Sequence, residues 1–313
     1  MLMFTKVAFI GIGAVGSIYA QCMIKNNREA DIWAVVPQKD IYDTMPVIIN
    51  GELLRIPLRT ADENEVKADV IIIAVKWHHL EKAMDEAARF MHRGTQVISL
   101  LNGIRSESSL AARFGWNRVL YAICSGIDSS RTGHSVTMNR RGQILFGEKT
   151  NERLSDRVLA MRHLFERSGV PHRIPIDMEK QLWWKLMVNV GMNQVSALYG
   201  LSYGAFRENP QAMHMMRNAQ MEVLKLAEAK GIDLSENDIL MWEEQLRGLS
   251  AAGRSSTLQD IWNRQKTEVE IFGGEVCTIG RELGIPTPVN EALYLKIRQL
   301  EDGYLGPGSD FKE

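Results

Sequence analysis

Three polar side chains recur at intervals of four residues in a mostly apolar stretch of the chain: Lys185, Asn189 and Asn193. In a helix this spacing places all three on one face, where they span roughly 12 Å, the length of a small substrate. A lysine and two asparagines in apolar surroundings need hydrogen-bond partners, and a bound polar ligand would supply them. The alternative is that the three residues form the solvated side of an amphipathic helix.

The chemistry that this face could support is proton donation to a carbonyl group under reduction. Removal from water lowers the pKa of a lysine, which suits a proton donor near neutral pH. An ammonium group within hydrogen-bond distance also stabilises the negative charge that develops on the carbonyl oxygen. No charged residue follows Lys185 until Arg207, which favours the ligand-binding interpretation over the solvated face.

A second signature lies near the start of the chain, where the apolar segment Lys6–Gly11 leads into the sequence Gly11-Ile12-Gly13-Ala14-Val15-Gly16. Between a strand and a helix, the first glycine permits a tight turn and the second lets the backbone approach a pyrophosphate. The third lets helix and strand pack closely, and the amides at the helix N-terminus face the phosphates. The motif predicts a dinucleotide cofactor on residues 11–16; a turn that binds nothing is the alternative.

The elements that must position the glycine motif lie in the first half of the chain, which alternates strand and helix patterns. This alternation predicts a Rossmann-type, doubly wound α/β sheet, which the later strands complete as antiparallel neighbours. A hairpin is predicted at Val47–Leu58, turning at Asn50-Gly51. The predicted strands are Lys6–Gly11, Asp31–Val36, Asp69–Val75, Gln96–Leu101, Val119–Cys124, Ser135–Met138 and Gln143–Phe146, and the predicted helices are Val15–Lys25 and His79–Met91.

The second half has helical periodicity almost throughout. Its predicted helices are Met178–Tyr199, Pro210–Lys230, Ser235–Arg247, Ser256–Leu283 (one long helix or two abutting ones) and Asn290–Leu300. The glycine-rich tail Gly303–Glu313 is predicted to be frayed. We therefore expect a Rossmann-type nucleotide-binding domain over residues 1–175 and an all-α domain over residues 176–313.

Composition narrows the function further. The chain has 313 residues, of which 45% are hydrophobic and 24% charged, and a net charge of −1, so it lacks an electrostatic footprint for nucleic acid or an anionic membrane. Its three cysteines, Cys22, Cys124 and Cys277, are scattered, which favours a reducing, cytoplasmic location and neither a disulfide framework nor a metal site. We expect no signal peptide and no membrane span.

Polar residues at further positions could join the site. Lys76 and Asn102 follow two predicted strands, and open parallel sheets bind ligands beyond the carboxyl ends of their strands, although each residue could equally be a surface group. Ser255 and Ser256 begin a predicted helix, where either could simply be the N-cap. Glu268 lies twelve residues after Ser256, about a third of a turn away on a continuous helix, and could equally be an ordinary solvated carboxylate.

Taken in order along the chain, these residues resemble the ketopantoate reductase (2-dehydropantoate 2-reductase) family from end to end. The resemblance implies an NADPH-dependent enzyme, with NAD as the other cofactor considered, that reduces 2-dehydropantoate to D-pantoate on the route to pantothenate and coenzyme A. A homodimer is compatible with the sequence. The motifs that carry the resemblance are Gly11-Ile-Gly13-Ala-Val-Gly16, Val75-Lys76, Asn102-Gly103, Trp184-Lys185-Leu-x-x-Asn189-x-x-x-Asn193, Ser255-Ser256-x-x-x-Asp260 and Lys266-Thr267-Glu268.

The resemblance also implies a role for each motif. Lys185 would be the general acid, and Glu268 would hold the cofactor and take part in catalysis. The residues that would bind the substrate are Asn189, Asn193, Ser256 and Asn102. The residues that would bind the cofactor are Gly11, Ile12, Gly13, Ala14, Val15, Gly16, Lys76, Asn102 and Glu268.

Four departures from the family pattern qualify these expectations. Arg105 replaces the second glycine of an Asn-Gly-x-Gly motif, and Val35 stands where some members carry an arginine for the 2′-phosphate of NADP, a role that the nearby Lys39 could fill. Tyr203 and Gly253 align with substrate-side asparagines. Two other functions therefore stay open: a D-2-hydroxyacid dehydrogenase of the same fold that acts on other branched 2-keto acids, and a non-catalytic NAD(P)-binding module.

Overall fold

The computed structural model describes residues 3–306 of the chain. The chain divides into two compact units, Met1–Met178 and Glu179–Glu313. The first unit is an α/β structure with a mostly parallel sheet, and the second unit is helical, which confirms the predicted fold class. None of the helices between residues 3 and 306 is long and apolar enough to cross a bilayer.

Twelve strands are described in the first unit, and eight of them form its large sheet. The strands are β1 (Lys6–Ile10), β2 (Asp31–Val35), β3 (Ile48–Ile49), β4 (Glu52–Leu53), β5 (Leu58–Arg59), β6 (Ala68–Ile73), β7 (Met91–Ser99), β8 (Val119–Ser125), β9 (Asp128–Thr132), β10 (Ser135–Arg140), β11 (Gln143–Gly147) and β12 (His172–Arg173). The large sheet has the order β12-β11-β8-β7-β6-β1-β2-β5, and its neighbours are parallel except β11 and β8. Residues 7–10 of β1 and 70–73 of β6 are fully buried apolar residues, as expected for strands covered on both faces.

The remaining four strands form a small sheet in the order β4-β3-β10-β9. The hairpin β3–β4 turns at Asn50 and Gly51, both with positive φ (48° and 82°), as in a type I′ turn. The prediction that the hairpin extends to Leu58 was wrong. Leu58 belongs to β5, which pairs with β2 in parallel and not with the hairpin. The prediction that all later strands complete the large sheet was also wrong: β11 does so in the antiparallel sense, whereas β10 pairs with β3 and β9.

Helices cover the two faces of the large sheet. They are α1 (Ala14–Asn26), α2 (Lys39–Thr44), α3 (Leu80–Phe90), α4 (Ser106–Phe114) and α5 (Asp156–Arg167). α3 forms because its apolar residues recur at helical spacing; the buried ones are Leu80, Ala83, Met84, Ala87 and Phe90. They pack in a core that includes Ala8 of β1, whereas Phe9 packs on the opposite face with residues of α1 and α5.

The second unit contains seven described α-helices. They are α6 (Met178–Tyr199), α7 (Tyr203–Arg207), α8 (Pro210–Ala229), α9 (Glu236–Arg247), α10 (Ser256–Trp262), α11 (Gly273–Leu283) and α12 (Pro288–Leu305). Local sequence sets several of their ends: Asn209 caps α8, and Ser235 and Asp238 form a capping box at the start of α9. Gly284 ends α11 in the left-handed conformation.

Two expectations for the second unit were wrong. The segment 256–283 is neither one helix nor two abutting helices, because α10 ends at Trp262 and Arg264 takes a positive φ of 53°. Glu268 therefore does not share a helix with Ser256, and it precedes a short 3-10 turn, Val269–Ile271. The tail was expected to fray from Gly303, but α12 continues to Leu305; residues 307–313 lie outside the described part of the chain.

A buried polar network fixes α6 against α8 and α12. Gln194 Nε2 donates to Asn290 Oδ1 at 3.1 Å, and Asn290 Nδ2 donates to Glu222 Oε2 at 2.7 Å. Glu222 also accepts from the backbone amides of Val289 and Asn290 at the start of α12 (2.8 and 3.0 Å). Because buried hydrogen bonds are directional, this network sets the rotation of α6 about its axis and so the direction of its polar face.

Candidate active site

The glycine turn joins β1 to α1, and the protein's own packing explains two of its three glycines. Gly11 has a φ of +92°, and a Cβ there would lie 2.7 Å from the carbonyl oxygen of Ala74. A Cβ on Gly16 would lie only 2.0 Å from the carbonyl oxygen of Gly11. Any larger residue at either position would therefore push the helix and strand apart.

Gly13 requires a different explanation. It is the N-cap of α1 with a φ of −68°, which any residue can adopt, and, its chain neighbours aside, a Cβ there would lie no closer than 4.0 Å to any atom of residues 3–306. The open space lies in front of the first amides of a 13-residue helix, where anions are favoured. A backbone that a pyrophosphate must approach needs this arrangement, so the residues present fit a dinucleotide cofactor.

Arg131 on β9 also belongs to the glycine turn, and sequence analysis missed it. Its Nη1 donates to the carbonyl oxygen of Ile12 and its Nε to that of Gly133, both at 2.8 Å. The same Nη1 lies 4.0 Å from the Cβ position of Gly13. The guanidinium group thus holds the turn in shape and adds positive charge beside the space that Gly13 leaves open.

Lys76 and Asn102 lie beyond β6 and β7, which are neighbouring parallel strands. β6 ends at Ile73 and β7 at Ser99, so both strands end two residues before the predicted position, and each polar residue follows three residues after its strand. Because β1 is the other neighbour of β6, the glycine turn, Lys76 and Asn102 all follow the carboxyl ends of adjacent strands. This is the edge at which open parallel sheets bind ligands.

An imidazole near Lys76 has a lowered pKa. Lys76 precedes a 3-10 turn that ends at His79. Partial burial, followed by the charges of Lys82 and Lys76, holds the pKa of His79 below its ordinary range.

Lys39, expected to contact a 2′-phosphate, is the first residue of α2. Its Nζ donates to Glu63 Oε1 at 2.5 Å. Val35, which we expected to align with the arginine of some family members, is only 3% exposed and packs in the core. The end of β2 therefore presents one lysine, and that lysine is paired with a carboxylate.

The polar face of α6 lies on a helix with the predicted bounds. Asn189 and Asn193 are 9% and 8% exposed, so the solvated-face alternative was wrong for both asparagines. Lys185 lies one turn before Asn189 and is half-buried. Asn189 is thus a buried amide on the polar face, and a buried amide needs a hydrogen-bond partner, which a ligand could supply.

Two adjacent serines at the start of α10 have different surroundings. Ser255 is the N-cap: its Oγ accepts from the amide of Leu258 at 3.2 Å and lies 2.5 Å from Ser196 Oγ. Ser256 is exposed, and its Oγ accepts from Nδ2 of Asn193 at 3.3 Å. The polar face of α6 and the hydroxyl of Ser256 therefore meet, although 63 residues separate them.

Glu268 is buried, with 8% exposure, and the turn before it is held by α12. Glu301 Oε1 accepts from the amide of Thr267 at 2.6 Å, and Glu301 is itself only 1% exposed. Arg298 pairs with both Glu301 and Glu270. Burial raises the pKa of Glu270 and the charge of Glu301 adds to that rise, against the lowering by Arg298.

Two family models match this chain: "Ketopantoate reductase PanE/ApbA" over residues 7–151 and "Ketopantoate reductase PanE/ApbA C terminal" over residues 177–301. The chain belongs to the ketopantoate reductase family. It is 24% identical to the 2-dehydropantoate 2-reductase of Aquifex aeolicus, over 96% of this chain and 98% of the relative. It is 29% identical to that of Pyrobaculum aerophilum, over 93% and 96%.

Solved structures share the fold of this ketopantoate reductase family member. The PanE/ApbA family ketopantoate reductase of Ralstonia eutropha superposes with a TM-score of 0.82 at 23% identity, over 96% of this chain and 99% of the other. D-mandelate dehydrogenase in a ternary structure with NADH gives a TM-score of 0.85 at 19% identity, over 96% and 99%. The fold is thus found in proteins named for two different substrates.

Two positions at which this family member departs from the family pattern are in contact with each other. The amide of Tyr203 donates to the carbonyl oxygen of Gly253 at 2.9 Å. A Cβ on Gly253 would lie 2.8 Å from Cδ2 of the Tyr203 ring. The ring therefore packs on the glycine backbone, and an asparagine at position 253 would require the ring to move.

Proposed function

We propose that this protein is an NAD(P)H-dependent oxidoreductase that reduces 2-dehydropantoate to D-pantoate, with NADPH as a cofactor, and so serves the synthesis of pantothenate and coenzyme A. When bound, the nicotinamide supplies a hydride to the keto carbon. The residues of this chain then have to orient the keto acid, hold the cofactor and supply one proton to the oxygen.

Lys185 is the proposed general acid. Its ammonium donates to the keto oxygen, stabilises the negative charge that develops there and delivers the proton, which solvent replaces. Asn189 and Asn193 bind the hydroxyl end of the substrate, and Ser256 its carboxylate. Glu268 holds the cofactor and orders the reacting groups.

The cofactor is assigned to the carboxyl edge of the large sheet. The backbone of residues 11–16 (Gly11, Ile12, Gly13, Ala14, Val15 and Gly16) receives the pyrophosphate, and Lys76 and Asn102 lie beyond the two adjacent strands. Asn102 also contacts the substrate in this proposal. The space in front of Gly13, where the nearest atoms of the described residues other than its chain neighbours lie 4.0 Å from a Cβ position, supports the assignment.

One observation carries the proposal more than any other: the bond from Asn193 to Ser256, on the helix face that also bears the buried Asn189. It brings a hydroxyl from a distant part of the chain to the polar face of α6, which also bears Lys185. A set of neutral donors around one ammonium group suits an anionic, hydroxylated keto acid.

The proposal is tested with a steady-state panel of NADPH and NADH against 2-dehydropantoate, 2-ketoisovalerate and two larger 2-keto acids. We expect the highest kcat/KM with 2-dehydropantoate and a product of D configuration. Binding of either dinucleotide without oxidation of the reduced cofactor by any acid would instead support a non-catalytic NAD(P)-binding module.

A second candidate function rests on the contact between Tyr203 and Gly253. An aromatic ring at a position where relatives place an amide would suit a less polar side chain on the keto acid. A D-2-hydroxyacid dehydrogenase for other branched 2-keto acids would show kcat/KM values for 2-ketoisovalerate equal to or above those for 2-dehydropantoate.

We further propose that residues 1–175 form the cofactor domain and residues 176–313 the substrate and dimerisation domain of a homodimer. One structural relative with a TM-score of 0.81 is described as a dimeric ketopantoate reductase. The three free, buried cysteines support a reducing, cytoplasmic setting. Light scattering at micromolar concentration tests the dimer.

A further inference from the structure

The adenosine end of a Rossmann-bound cofactor lies beyond β2, where the parallel neighbour β5 also ends. The register pairs Val35 with Arg59, so the chain runs from these strand ends to Lys39 on one side and to Glu63 on the other. In this type of fold, a carboxylate here accepts a hydrogen bond from the ribose 2′-hydroxyl of NAD, whereas a cation accommodates the 2′-phosphate of NADP. This chain places both kinds of group at that edge.

The carboxylate of Glu63 is held by two donors. Its Oε1 accepts from Nζ of Lys39 at 2.5 Å, and its Oε2 accepts from the amide of Thr60 at 2.9 Å. The bond from Lys39, followed by that from Thr60, keeps the pKa of Glu63 below its usual range, so the group is charged at neutral pH. The ammonium that would meet a 2′-phosphate thus already has a counter-ion within the protein.

The second cation at this edge is committed to an aromatic ring. The guanidinium carbon of Arg59 lies 5.1 Å from the ring centroid of Trp33, which is fully buried. The side chains of Lys39 and Glu63 remain 34% and 45% exposed, so a ligand can reach both. Lys39 is therefore the cation that a phosphate can reach at this edge, and the carboxylate of Glu63 competes with that phosphate for it.

We propose that Glu63 sets the cofactor preference of this protein by competing for Lys39, so that NADPH and NADH bind with affinities within about tenfold of each other. The proposal rests on the proposed function, since it concerns the cofactor of the same reaction. A 2′-phosphate would pair with the ammonium of Lys39 but would lie beside the negative carboxylate of Glu63. A ribose 2′-hydroxyl can instead donate a hydrogen bond to Glu63 and leave the Lys39–Glu63 ion pair intact. Because half-exposed charges at this separation change binding free energies only modestly, the affinities for NADPH and NADH should be similar.

The test measures binding without turnover. Isothermal titration gives Kd values for 2′,5′-ADP and 5′-AMP, and for NADP⁺ and NAD⁺, with the wild-type protein and with Glu63→Gln. Lys39→Met and the double variant complete a cycle. Glu65→Gln removes an exposed carboxylate two residues away and serves as the matched control.

We expect Glu63→Gln to tighten 2′,5′-ADP and NADP⁺ about five- to tenfold at low salt and to change 5′-AMP and NAD⁺ less than twofold. The gain should disappear in the double variant, because Lys39 is then absent. Equal shifts for phosphorylated and unphosphorylated ligands, the same gain from Glu65→Gln, or a wild-type preference for NADP⁺ above 100-fold would each overturn the proposal. Failure of the wild-type protein to bind either dinucleotide would contradict the proposed function itself, and circular dichroism checks that each variant is folded.

Discussion

The candidate sites of the two units consist of different chemical groups. In the first unit the site is mostly backbone: glycines that leave room, amides at the start of α1 and residues just beyond the ends of adjacent strands. In the second unit it consists of side chains on α6, α10 and the segment before the 3-10 turn, and a hydrogen bond joins α6 to α10 across 63 residues of sequence. Added atoms should therefore damage the first unit, and removed functional groups should damage the second.

The largest expected effect comes from removing the ammonium group of the second unit. Lys185→Ala should lower kcat by about 10²- to 10⁴-fold with the fold intact, because a positioned general acid contributes this much to a proton transfer. Steady-state kinetics with 2-dehydropantoate and thermal unfolding measure the two quantities. Lys225→Ala, which removes an exposed lysine of α8, is the control and should retain wild-type kcat; near-normal turnover of Lys185→Ala would remove Lys185 from the role.

The glycine turn tests the other half of the comparison by adding one methyl group at two positions. Gly16→Ala should cost about 3 kcal/mol or more of unfolding free energy, because the new Cβ would lie 2.0 Å from the carbonyl oxygen of Gly11. Gly13→Ala should unfold like the wild type and weaken NADP⁺ and NAD⁺ binding at least tenfold. Denaturant unfolding and titration calorimetry report these; if both variants lose stability equally, the space before Gly13 is not reserved for a ligand.

The turn before Glu268 tests whether a side chain stabilises the candidate site of the second unit. Glu301→Ala removes the acceptor of the Thr267 amide, which lies 2.6 Å away, and should lower the unfolding free energy by about 1–3 kcal/mol. Glu301→Gln keeps an oxygen acceptor and should lose less. Urea unfolding compares the variants, and equal losses would mean that the negative charge beside Arg298, rather than the bond to Thr267, stabilises this segment.

The smallest expected effects come from the two neighbouring serines. Ser255→Ala should lower the unfolding free energy by about 1 kcal/mol through loss of the N-cap and leave KM near normal. Ser256→Ala should leave stability unchanged and raise KM for the keto acid about tenfold. Thermal unfolding and steady-state kinetics on both variants provide the comparison, which fails if the two serines behave alike.

Sequence predicted well those elements whose pattern is local and long. α6 has the predicted bounds because helical periodicity runs without a break through the 22 residues that follow Asp177. The buried strands β1 and β6 were predicted within two residues because strands covered on both faces are apolar throughout. The face of Lys185, Asn189 and Asn193 followed from helical geometry alone.

The remainder depended on contacts that no local pattern encodes. β9 reads Asp-Ser-Ser-Arg-Thr and becomes a strand only by pairing with β10, so Arg131 could not be placed beside Ile12. The helix break after α10 occurs at Arg264, where the sequence has no glycine or proline that would predict the end of a helix. The bonds from Asn193 to Ser256 and from Lys39 to Glu63 join residues 63 and 24 positions apart.

The guanidinium group of Arg131 links the two sheets of the first unit, since β9 belongs to the small sheet and Ile12 to the turn that follows β1 of the large one. Because Arg131 joins the edge strand β9 to the glycine turn, a ligand that stabilises the turn should also stabilise β9. Amide hydrogen exchange in residues 128–132 should therefore slow when a dinucleotide is added, and the small sheet becomes a remote reporter of cofactor occupancy.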